Sequence, residues 1–527
     1  MSKLPPVHLC LQQPAGYVHS LGLVDPARYF RWQFARLGAE VSVAKNRLRH
    51  DAVNLVFGAH LGFDAAQRER HACIFVNLEQ MGAGGAELKP EYARLLAGSA
   101  VADYEPENVA AYATHADDVS VVPLLHAPYL APAAVLPLEQ RPIDLLFVGS
   151  LNERRRAWLE RVRATGRTVT TLTSALYGAE RDALVRQAKA VVNCHFYESS
   201  RFEQARVSHC LSLGTPVISE RTSKTNPHPA FEDSVFWLES DAQLAQFFTE
   251  DFATPPFFDV ARGALARFAE FDPIEAYADL LAFAGGFAKA HFERRPTAPW
   301  QPSRINLGSG KDYKAGWLNL DVLDRTEPDL VLDLGAAAVT LPLDARSPTL
   351  GPVRLEANSV SAINANNVLE HVVDLPALMT RCLDLLKVGG EMHVEVPFEG
   401  AATAWQDPTH VRAMNENSWL YYTDWFWYLG WFEHRFAVDS SSFLDAQLKP
   451  CTREQASFMR LVLKKVETTA DERTIARTLQ SDLRLPADTV APEHVYRPAA
   501  PVAAVAPVAA AVAAGSTASP ARVAYTV

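Results

Sequence analysis

Residues 304–310, RINLGSG, decide the fold of the second half of the chain. A short apolar run ends here in a glycine loop that contains Gly308 and Gly310. Two glycines directly after a strand let the backbone approach a ligand where a side chain would clash. Tyr313 stands where the third glycine of a Gly-x-Gly-x-x-Gly fingerprint is needed. The loop therefore predicts a ligand site but is not a good dinucleotide motif.

Strand and helix patterns alternate on the carboxyl side of this loop. Strands are predicted for WLNLDV, PDLVLDL, EMHVEVP and FMRLVLKKVE, and a strand followed by a loop for SVSAINANNVLEHV. A helix that closes at Gly389 and Gly390 is predicted for LPALMTRCLDLLKVGG. We therefore expect residues 304–468 to form one Rossmann-like domain.

Carboxylates end two of these predicted strands. Asp321 ends WLNLDV, where it can accept hydrogen bonds from both hydroxyls of a ribose. Asp333 ends the next strand, where an adenine edge would lie. A simple turn cap is the alternative for Asp333.

The region before about residue 290 has the same alternation. Strands are predicted for IDLLFVGS, TVTTLTS, VVNCHF and TPVISE, with helices ERRRAWLERVRAT, ERDALVRQAKA and FEQARVSHCLSLG between them. This pattern predicts a parallel sheet with helices on both faces. Further strands, VNLVFGAH, HACIFVNLE and SVVPLL, precede a hinge at residues 136–142. Two Rossmann-like halves with a cleft between them are therefore expected.

The predicted fold class is α/β, with a third Rossmann-like domain after these two halves. The expected divisions are 1–138 and 139–291 for the halves, 292–303 for a charged, proline-rich linker, 304–468 for the third domain, 469–497 for a polar extension and 498–527 for a disordered Ala/Pro tail.

Composition excludes several classes of protein. The 527 residues carry 61 acidic against 50 basic side chains, a net charge of −11, which argues against a nucleic-acid partner. Six scattered cysteines without a Cys-x-x-Cys pair disfavour a zinc knuckle and suit a reducing, cytoplasmic location. We expect neither a signal peptide nor a transmembrane segment, while peripheral membrane association stays open. No metal site is predicted.

The ordered motifs NLGSG, GWLNLDV, PDLVLDL, NVLEHV and LLKVGGEMHVEVP resemble class I S-adenosylmethionine-dependent methyltransferases over about residues 304–440. The run at 316–321 and Asp-Pro-Thr-His at 407–410 are similar to a branch associated with polysaccharide biosynthesis. This resemblance implies S-adenosyl-L-methionine as cofactor. Its implied contacts are Gly308 and Gly310 on the methionine and ribose part, Asp321 on the ribose, Asp333 near the adenine and Asn367 beside the sulfonium.

Methylation of a sugar hydroxyl needs alignment and a base for the hydroxyl proton. Histidine suits that role, so the predicted catalytic residues are His371, His410 and Asp407, with Glu370 beside them. Asp407 either orients His410 or forms a structural Asp-Pro turn, and His371 is alternatively a structural histidine on a helix. The aromatic run 418–436 is expected to cap the sheet, to stack on a carbohydrate, or both.

Two motifs upstream predict a nucleotide site. Gly149 followed by Arg154 and Arg155 offers amides and cations to a diphosphate, a solvated helix start being the alternative. Glu203 opens a later helix, where it either binds ribose hydroxyls or interacts with the helix dipole. Arg201, or alternatively Arg206, is a candidate for phosphate.

The run RFEQARVSHCLSLGTPVIS resembles the nucleotide-binding half of GT-B glycosyltransferases of the spore-maturation type, over about residues 143–290. The resemblance implies a nucleotide-sugar donor, a glycan acceptor and a terminal helix pair at 264–292. The acceptor and any base would then lie within about residues 1–135, where His19, His60 and Glu79 are candidates near strand ends. No Asp-x-Asp motif is present, so a divalent ion is not implied.

These observations predict a bifunctional glycan-modifying enzyme, with glycosyl transfer from a nucleotide sugar and S-adenosylmethionine-dependent methylation. The first alternative is a methyltransferase with a degenerate, non-catalytic glycosyltransferase-like binding module. The second is a scaffold in which neither site turns over.

Overall fold

The computed structural model describes residues 6–131, 136–172 and 174–480. The predicted tail at 498–527 and residues 481–497 of the predicted polar extension lie outside the described residues. The described chain forms three modules, at 6–131, 136–294 and 304–480, each built on its own main sheet.

The first module is built on six parallel strands in the order β2-β1-β3-β4-β5-β6. Its elements are β1 (Val7–Leu11), α1 (Val24–Arg36), β2 (Val41–Lys45), β3 (Val53–Phe57), β4 (Ala72–Asn77), α2 (Pro90–Ala97), β5 (Ala100–Asp103), α3 (Pro106–Val109) and β6 (Val119–Val121). Strands β3 and β4 are buried along their whole length. Burial on both faces explains their unbroken apolar sequences.

The second module has five parallel strands in the order β11-β10-β9-β7-β8. Its elements are β7 (Ile143–Phe147), α4 (Glu153–Ala164), β8 (Val169–Thr171), α5 (Ala179–Gln187), β9 (Ala188–Asn193), α6 (Gln204–Ser212), β10 (Val217–Glu220), β11 (Val235–Leu238), α7 (Asp241–Gln246), α8 (Pro255–Glu270) and α9 (Ile274–Arg294). Strand order reverses at β7, between β8 and β9. In such sheets ligands bind in the crevice outside the carboxyl ends of the strands at the reversal.

Helix α9 crosses back to the first module. Its side chains Tyr277, Leu280 and Ala284 are fully buried in the core of the first sheet. The helix pair expected at 264–292 is present as α8 and α9, and α9 packs on the first module. An apolar helix face predicts burial without saying which sheet provides it. The helix continues to Arg294, so the first residues of the predicted linker are helical.

The third module has an eight-stranded sheet in the order β14-β13-β12-β17-β18-β21-β19-β20. Its elements are β12 (Arg304–Leu307), β13 (Leu318–Asp321), β14 (Leu330–Val331), β15 (Leu343–Ser347), β16 (Gly351–Leu355), β17 (Val360–Asn366), α10 (Leu375–Leu385), β18 (Leu386–Pro397), β19 (His434–Leu444), β20 (Pro450–Cys451), β21 (Phe458–Glu467) and α11 (Ala470–Leu479). Within this sheet, strands β14, β13, β12, β17 and β18 are parallel, and β21, β19 and β20 are antiparallel to their neighbours. Strands β15 and β16 form a separate hairpin.

Helix α10 ends earlier than its sequence predicts. The Asp374 side chain caps its start by accepting a hydrogen bond from the amide of Ala377. The helix stops at Leu385, and Gly389 and Gly390 lie inside β18. The register between β17 and β18 shifts at this point, so the glycines accompany a bulge and do not close the helix.

The third module docks on the first through its own backbone carbonyls, which accept from a backbone amide and lie against a histidine side chain of the first module. The amide of His50 donates to the carbonyl of Pro348 at 3.0 Å, and Nε2 of His71 lies 2.7 Å from the carbonyl oxygen of Thr349. The connecting chain adds to this contact because the amide of Trp300 donates to the carbonyl of Pro352 at 2.8 Å.

The three parallel-dominated sheets confirm the predicted α/β class with three Rossmann-like units. None of the six cysteines is in a disulfide, and five of them are buried. Over the described ranges, no helix has both the length and the apolar character needed to cross a membrane.

Candidate active sites

The glycine loop after β12 is tied to the end of β13 by Asp321. Oδ2 of Asp321 accepts a hydrogen bond from the amide of Gly310 at 2.8 Å, and Oδ1 accepts from the amide of Leu323 at 2.8 Å. Each carboxylate oxygen has a second lone-pair site. Asp321 can therefore hold the loop and still accept the hydroxyls of a bound ribose.

Gly308 is required by both backbone conformation and space. Its φ is +58°, and an added Cβ would lie 2.3 Å from Cγ2 of Val368. The loops after β12 and β17 approach each other only because this position has no side chain. The two strands are parallel neighbours, so their carboxyl ends form one edge.

Asp333 and Asn367 follow two other strands of this sheet. Oδ1 of Asp333 accepts from the amide of Gly335 at 2.9 Å, which is the turn cap considered from the sequence. Asn367 is exposed with φ +51°, and its amide donates to the carbonyl of Glu395 at 2.8 Å. Both residues lie at the expected edge of the sheet.

Three further side chains converge after β17. The rings of His371 and His410 have centroids 4.7 Å apart, and Nε2 of His410 lies 4.0 Å from Oε1 of Glu370. Glu370 is buried, and apart from its own backbone amide no described residue donates a hydrogen bond to either carboxylate oxygen. Burial, the largest cause, raises the pKa of Glu370 above its ordinary value.

Asp407 acts on a different histidine from the one expected. Its Oδ1 accepts from the Thr409 hydroxyl at 2.7 Å and from the Thr409 amide at 2.8 Å. The Thr409 hydroxyl in turn lies 2.9 Å from Nδ1 of His371. The hydrogen bonds from Thr409 lower the pKa of Asp407. The carboxylate of Asp407 therefore orients His371 through Thr409, while the ring of His410 is held by the carbonyl of Ala404 at 2.9 Å.

The aromatic run at 418–436 divides between core and surface. Trp419, Tyr422 and Phe426 are buried in the core of the third module. Tyr421, Trp425 and Tyr428 are 45%, 43% and 57% exposed, with ring centroids 5.3 to 6.4 Å apart. The segment forms short helical turns before β19 and provides both a core and an exposed aromatic surface.

A second candidate site is a cavity of about 620 Å³ lined by residues of the first and second modules. Gly149 follows β7 in its wall with φ +147°. A Cβ at this glycine would lie 2.5 Å from Nη1 of Arg206 and 3.2 Å from Nη1 of Arg155. The glycine thus lets two guanidinium groups lie against the backbone of the cavity wall.

Glu203 is engaged by protein donors on both oxygens. Oε1 accepts from Arg155 at 2.9 Å and lies 3.3 Å from Arg206, while Oε2 is 3.2 Å from both His195 Nδ1 and Asn193 Nδ2. Burial opposes its ionisation, but the His195 hydrogen bond and the two arginines lower the pKa of Glu203 to about 2. The carboxylate balances the charge of the two arginines.

Two of the predicted nucleotide-sugar residues lie away from the cavity wall. Arg154 forms two 2.7 Å hydrogen bonds to Glu220. Arg201 is buried against Met81 and Asn108 of the first module, which it joins to the second. Neither lines the cavity, whereas Gly149, Arg155 and Glu203 do. The sequence places several arginines at the turn between β7 and α4, but it does not show which of their side chains lines the cavity.

Among the first-module candidates, His19 and Glu79 line the cavity. His60 does not, although its Nε2 lies 3.6 Å from Glu79. His19 Nδ1 is 3.0 Å from the hydroxyl of Tyr177, which the sequence reading did not single out. Arg181, which pairs with Asp25 at 2.8 Å, also lines the cavity and carries no sequence motif.

Comparison with known proteins gives distant relatives. No family model matches the chain. An uncharacterised protein, L140, of Acanthamoeba polyphaga mimivirus is 28% identical over 128 residues, which is 23% of this chain and 40% of that protein. A second, L137 of the same virus, is 30% identical over 78 residues, 15% of this chain and 11% of that protein. The chain thus spans less than half the length of either curated relative.

Matching solved structures include a methyltransferase and a glycosyltransferase. A SAM-dependent methyltransferase from Archaeoglobus fulgidus matches 34% of this chain and 93% of its own, with 12% identity and a TM-score of 0.22. WaaG, a glycosyltransferase involved in lipopolysaccharide biosynthesis, matches 53% of this chain and all of its own, with 12% identity and a TM-score of 0.35.

Proposed function

We propose that the third module transfers a methyl group from S-adenosylmethionine. The observation that carries this proposal is the Asp321 carboxylate, which holds the amide of Gly310 and keeps acceptor capacity at a parallel-sheet edge. In this proposal Asp321 binds the ribose, and Gly308 and Gly310 let the methionine and ribose part of the cofactor lie close to the backbone. Asp333 approaches the adenine, and Asn367 lies beside the sulfonium.

The acceptor would meet His371 and His410 at the same edge. Methyl transfer is a displacement in which the nucleophile must line up with the methyl–sulfur bond, so orientation dominates the rate. The Asp407–Thr409 pair fixes the ring of His371, and Ala404 fixes that of His410. A glycan acceptor is consistent with the exposed aromatic surface of Tyr421, Trp425 and Tyr428, on which a sugar face can stack.

We propose in addition that the cavity between the first two modules binds a nucleoside-diphosphate sugar. Departure of the diphosphate builds negative charge, which fixed cations stabilise. Arg155 and Arg206 provide those cations beside Gly149. His19 and Glu79 line the opposite, first-module side, where an acceptor would lie.

The free, mostly buried cysteines are consistent with a location in the reducing cytoplasm.

One observation favours a second candidate function for this cavity. Each oxygen of Glu203 already has two protein donors within 3.3 Å, whereas each oxygen of Asp321 has one, so the predicted ribose ligand Glu203 is already occupied. A cavity that binds a glycan or nucleotide without transferring a sugar fits this arrangement. The whole chain would then be a methyltransferase with a glycan-binding module.

A mass-spectrometric screen of the full chain with a panel of nucleotide sugars separates these functions. Transfer or hydrolysis that releases nucleoside diphosphate supports the glycosyltransferase, and Arg206→Ala should lower it at least about tenfold. Arg161→Ala, on the exposed side of α4, is the matched control. Saturable binding of the same compounds without release supports the binding module.

Methyl transfer is tested in the same preparation with labelled S-adenosylmethionine and a glycan mixture. We expect label in an acceptor for the parent chain and for Asp344→Asn, an exposed change on β15. At a limiting concentration of S-adenosylmethionine we expect at least about tenfold less label for Asp321→Asn. Equal labelling by both variants would contradict the proposed cofactor site.

A further inference from the structure

The cluster of Glu370, His371 and His410 has the composition of a metal site. One ligand atom from each residue lies within 4.8 Å of the other two. Glu370 is 1% exposed, and apart from its own backbone amide no described residue donates a hydrogen bond to its carboxylate. Burial of a carboxylate with so few donors is unfavourable. A positively charged ligand between these three groups would remove that cost.

The ring of His410 is set for coordination. Its Nδ1 lies 2.9 Å from the carbonyl oxygen of Ala404, which can only accept a hydrogen bond. Nδ1 therefore carries the proton, and in the neutral ring the lone pair is on Nε2. That Nε2 atom is the one 4.0 Å from Oε1 of Glu370.

The ring of His371 is set in the same way by the Asp-Pro-Thr-His loop. The carboxylate of Asp407 only accepts, so the Thr409 hydroxyl donates its proton to Asp407 at 2.7 Å. The oxygen of that hydroxyl must then accept from Nδ1 of His371, 2.9 Å away. The lone pair of His371 is again left on Nε2. A carboxylate or carbonyl behind each imidazole is the usual outer arrangement around a metal-bound histidine.

We propose that Glu370, His371 and His410 bind one divalent transition-metal ion of the Zn²⁺, Co²⁺ or Mn²⁺ type. Two imidazole nitrogens and one carboxylate oxygen form a set that leaves coordination positions open to another ligand. Metal–ligand bonds of about 2.1 Å place neighbouring ligand atoms roughly 3.4 Å apart. Because the ligand atoms lie within 4.8 Å of one another, the three side chains need to close by about 1.4 Å at most.

The ligand set also distinguishes between classes of metal. Mg²⁺ and Ca²⁺ prefer all-oxygen sites, whereas this cluster offers two nitrogens. The open positions would lie at the carboxyl end of β17, directly after Asn367. If the third module methylates a hydroxyl, they would receive the acceptor oxygen. That use of the metal rests on the proposed methyl transfer, but the metal binding itself does not.

The experiment is a titration of the tag-free, chelator-treated full chain with Co²⁺, followed by visible absorption and without S-adenosylmethionine. We expect one Co²⁺ per chain, displaced by Zn²⁺ and not by excess Mg²⁺. Glu370→Gln should abolish the band. Thr409→Val, which removes only the group behind His371, should weaken Co²⁺ binding about 10- to 100-fold.

His393→Gln is the matched control because His393 and Glu391 form an exposed pair, 3.3 Å apart, on the neighbouring strand β18. It should bind Co²⁺ as the parent chain does. Thermal melts verify that each variant is folded, and Thr409→Val decides the question if Glu370→Gln unfolds. Absence of a Co²⁺ band in the parent chain, an unchanged affinity in Thr409→Val, or preference for Mg²⁺ would overturn the proposal. A metal-free chain that still transfers methyl groups would overturn the proposed use of the metal in methyl transfer, while leaving metal binding and the proposed function intact.

Discussion

Asp321 and Gly310 are joined by a 2.8 Å hydrogen bond that connects the end of β13 to the loop after β12. The same carboxylate accepts from the amide of Leu323 with its other oxygen. One side chain thus shapes the glycine loop and presents a negative charge at the edge of the sheet. Its two roles can be separated by experiment.

Asp321→Asn keeps the size of the side chain and removes its charge. Hydrogen bonds to a charged group contribute about 1.5–3 kcal/mol each, so S-adenosylmethionine should bind at least about tenfold more weakly. Titration calorimetry on the full chain measures this, with Asp344→Asn as the control of equal charge change. An Asp321→Asn chain with a lowered Tm and an unchanged affinity would assign Asp321 to the loop alone.

Gly308→Ala should destabilise the third module. The new Cβ would meet Val368 at 2.3 Å, and alanine is strained at a φ of +58°. Val368→Ala in the same chain removes the clash but not the backbone strain. We therefore expect the double variant to recover part of the lost Tm. Full recovery of the Tm would show that only the clash with Val368 requires a glycine at position 308. No recovery would show that only the positive φ requires it.

The sequence predicted best what depends on neighbouring residues. The glycine loop at 308–310, the strand that ends at Asp321 and the late strand at 458–467 are all present. Apolar runs and turn residues act over a few positions, so a local pattern is sufficient to detect them. The turn-cap alternative for Asp333 was visible for the same reason.

The sequence could not predict what depends on distant segments. Glu203 meets Arg155 only because α4 and α6 lie at the same end of the second sheet, and 48 positions separate the two residues. His371 meets His410 although helix α10 and strand β18 lie between them along the chain. No local pattern shows that α9 packs on the first sheet rather than the second.

Glu203→Gln should destabilise the second module at neutral pH, because Arg155 and Arg206 would lose their shared counter-charge. The pKa of Glu203 is lowered from 4.5 to about 2 in the folded chain. A carboxylate whose pKa is lowered by folding stabilises the folded chain at every pH above its pKa in the unfolded chain, here 4.5. This stabilisation is lost as pH falls from 4.5 towards 2. Urea denaturation at pH 7, 5 and 3 should show the gap between parent and variant shrinking.

Glu160→Gln is the control for this series because Glu160 is exposed on α4. It should change the free energy of unfolding little at any of these pH values. A gap between the parent and Glu203→Gln chains that is constant with pH would contradict the ion-pair assignment. A variant as stable as the parent that fails to bind nucleotide would restore Glu203 as a ribose ligand.

The docking of the third module on the first should survive cleavage of the connection but depend on pH. A site-specific protease sequence inserted between Thr297 and Ala298 would cut the segment before Trp300, leaving the contacts of His50 and His71 in place. Burial, followed by the charge of Arg295, lowers the pKa of His50 from 6.5 to about 4. Because the separated fragments bind more protons than the docked ones between pH 4 and 6.5, docking is stable above pH 6.5 and weakens as pH falls towards 4.

Size-exclusion chromatography should show the fragments eluting together at pH 8 and apart near pH 4.5. His71→Ala should move the separation to higher pH, whereas Arg49→Ala, whose charge pairs with Asp51 within the first module, should have less effect. Fragments that separate at pH 8 would show that the connecting chain alone holds the modules together.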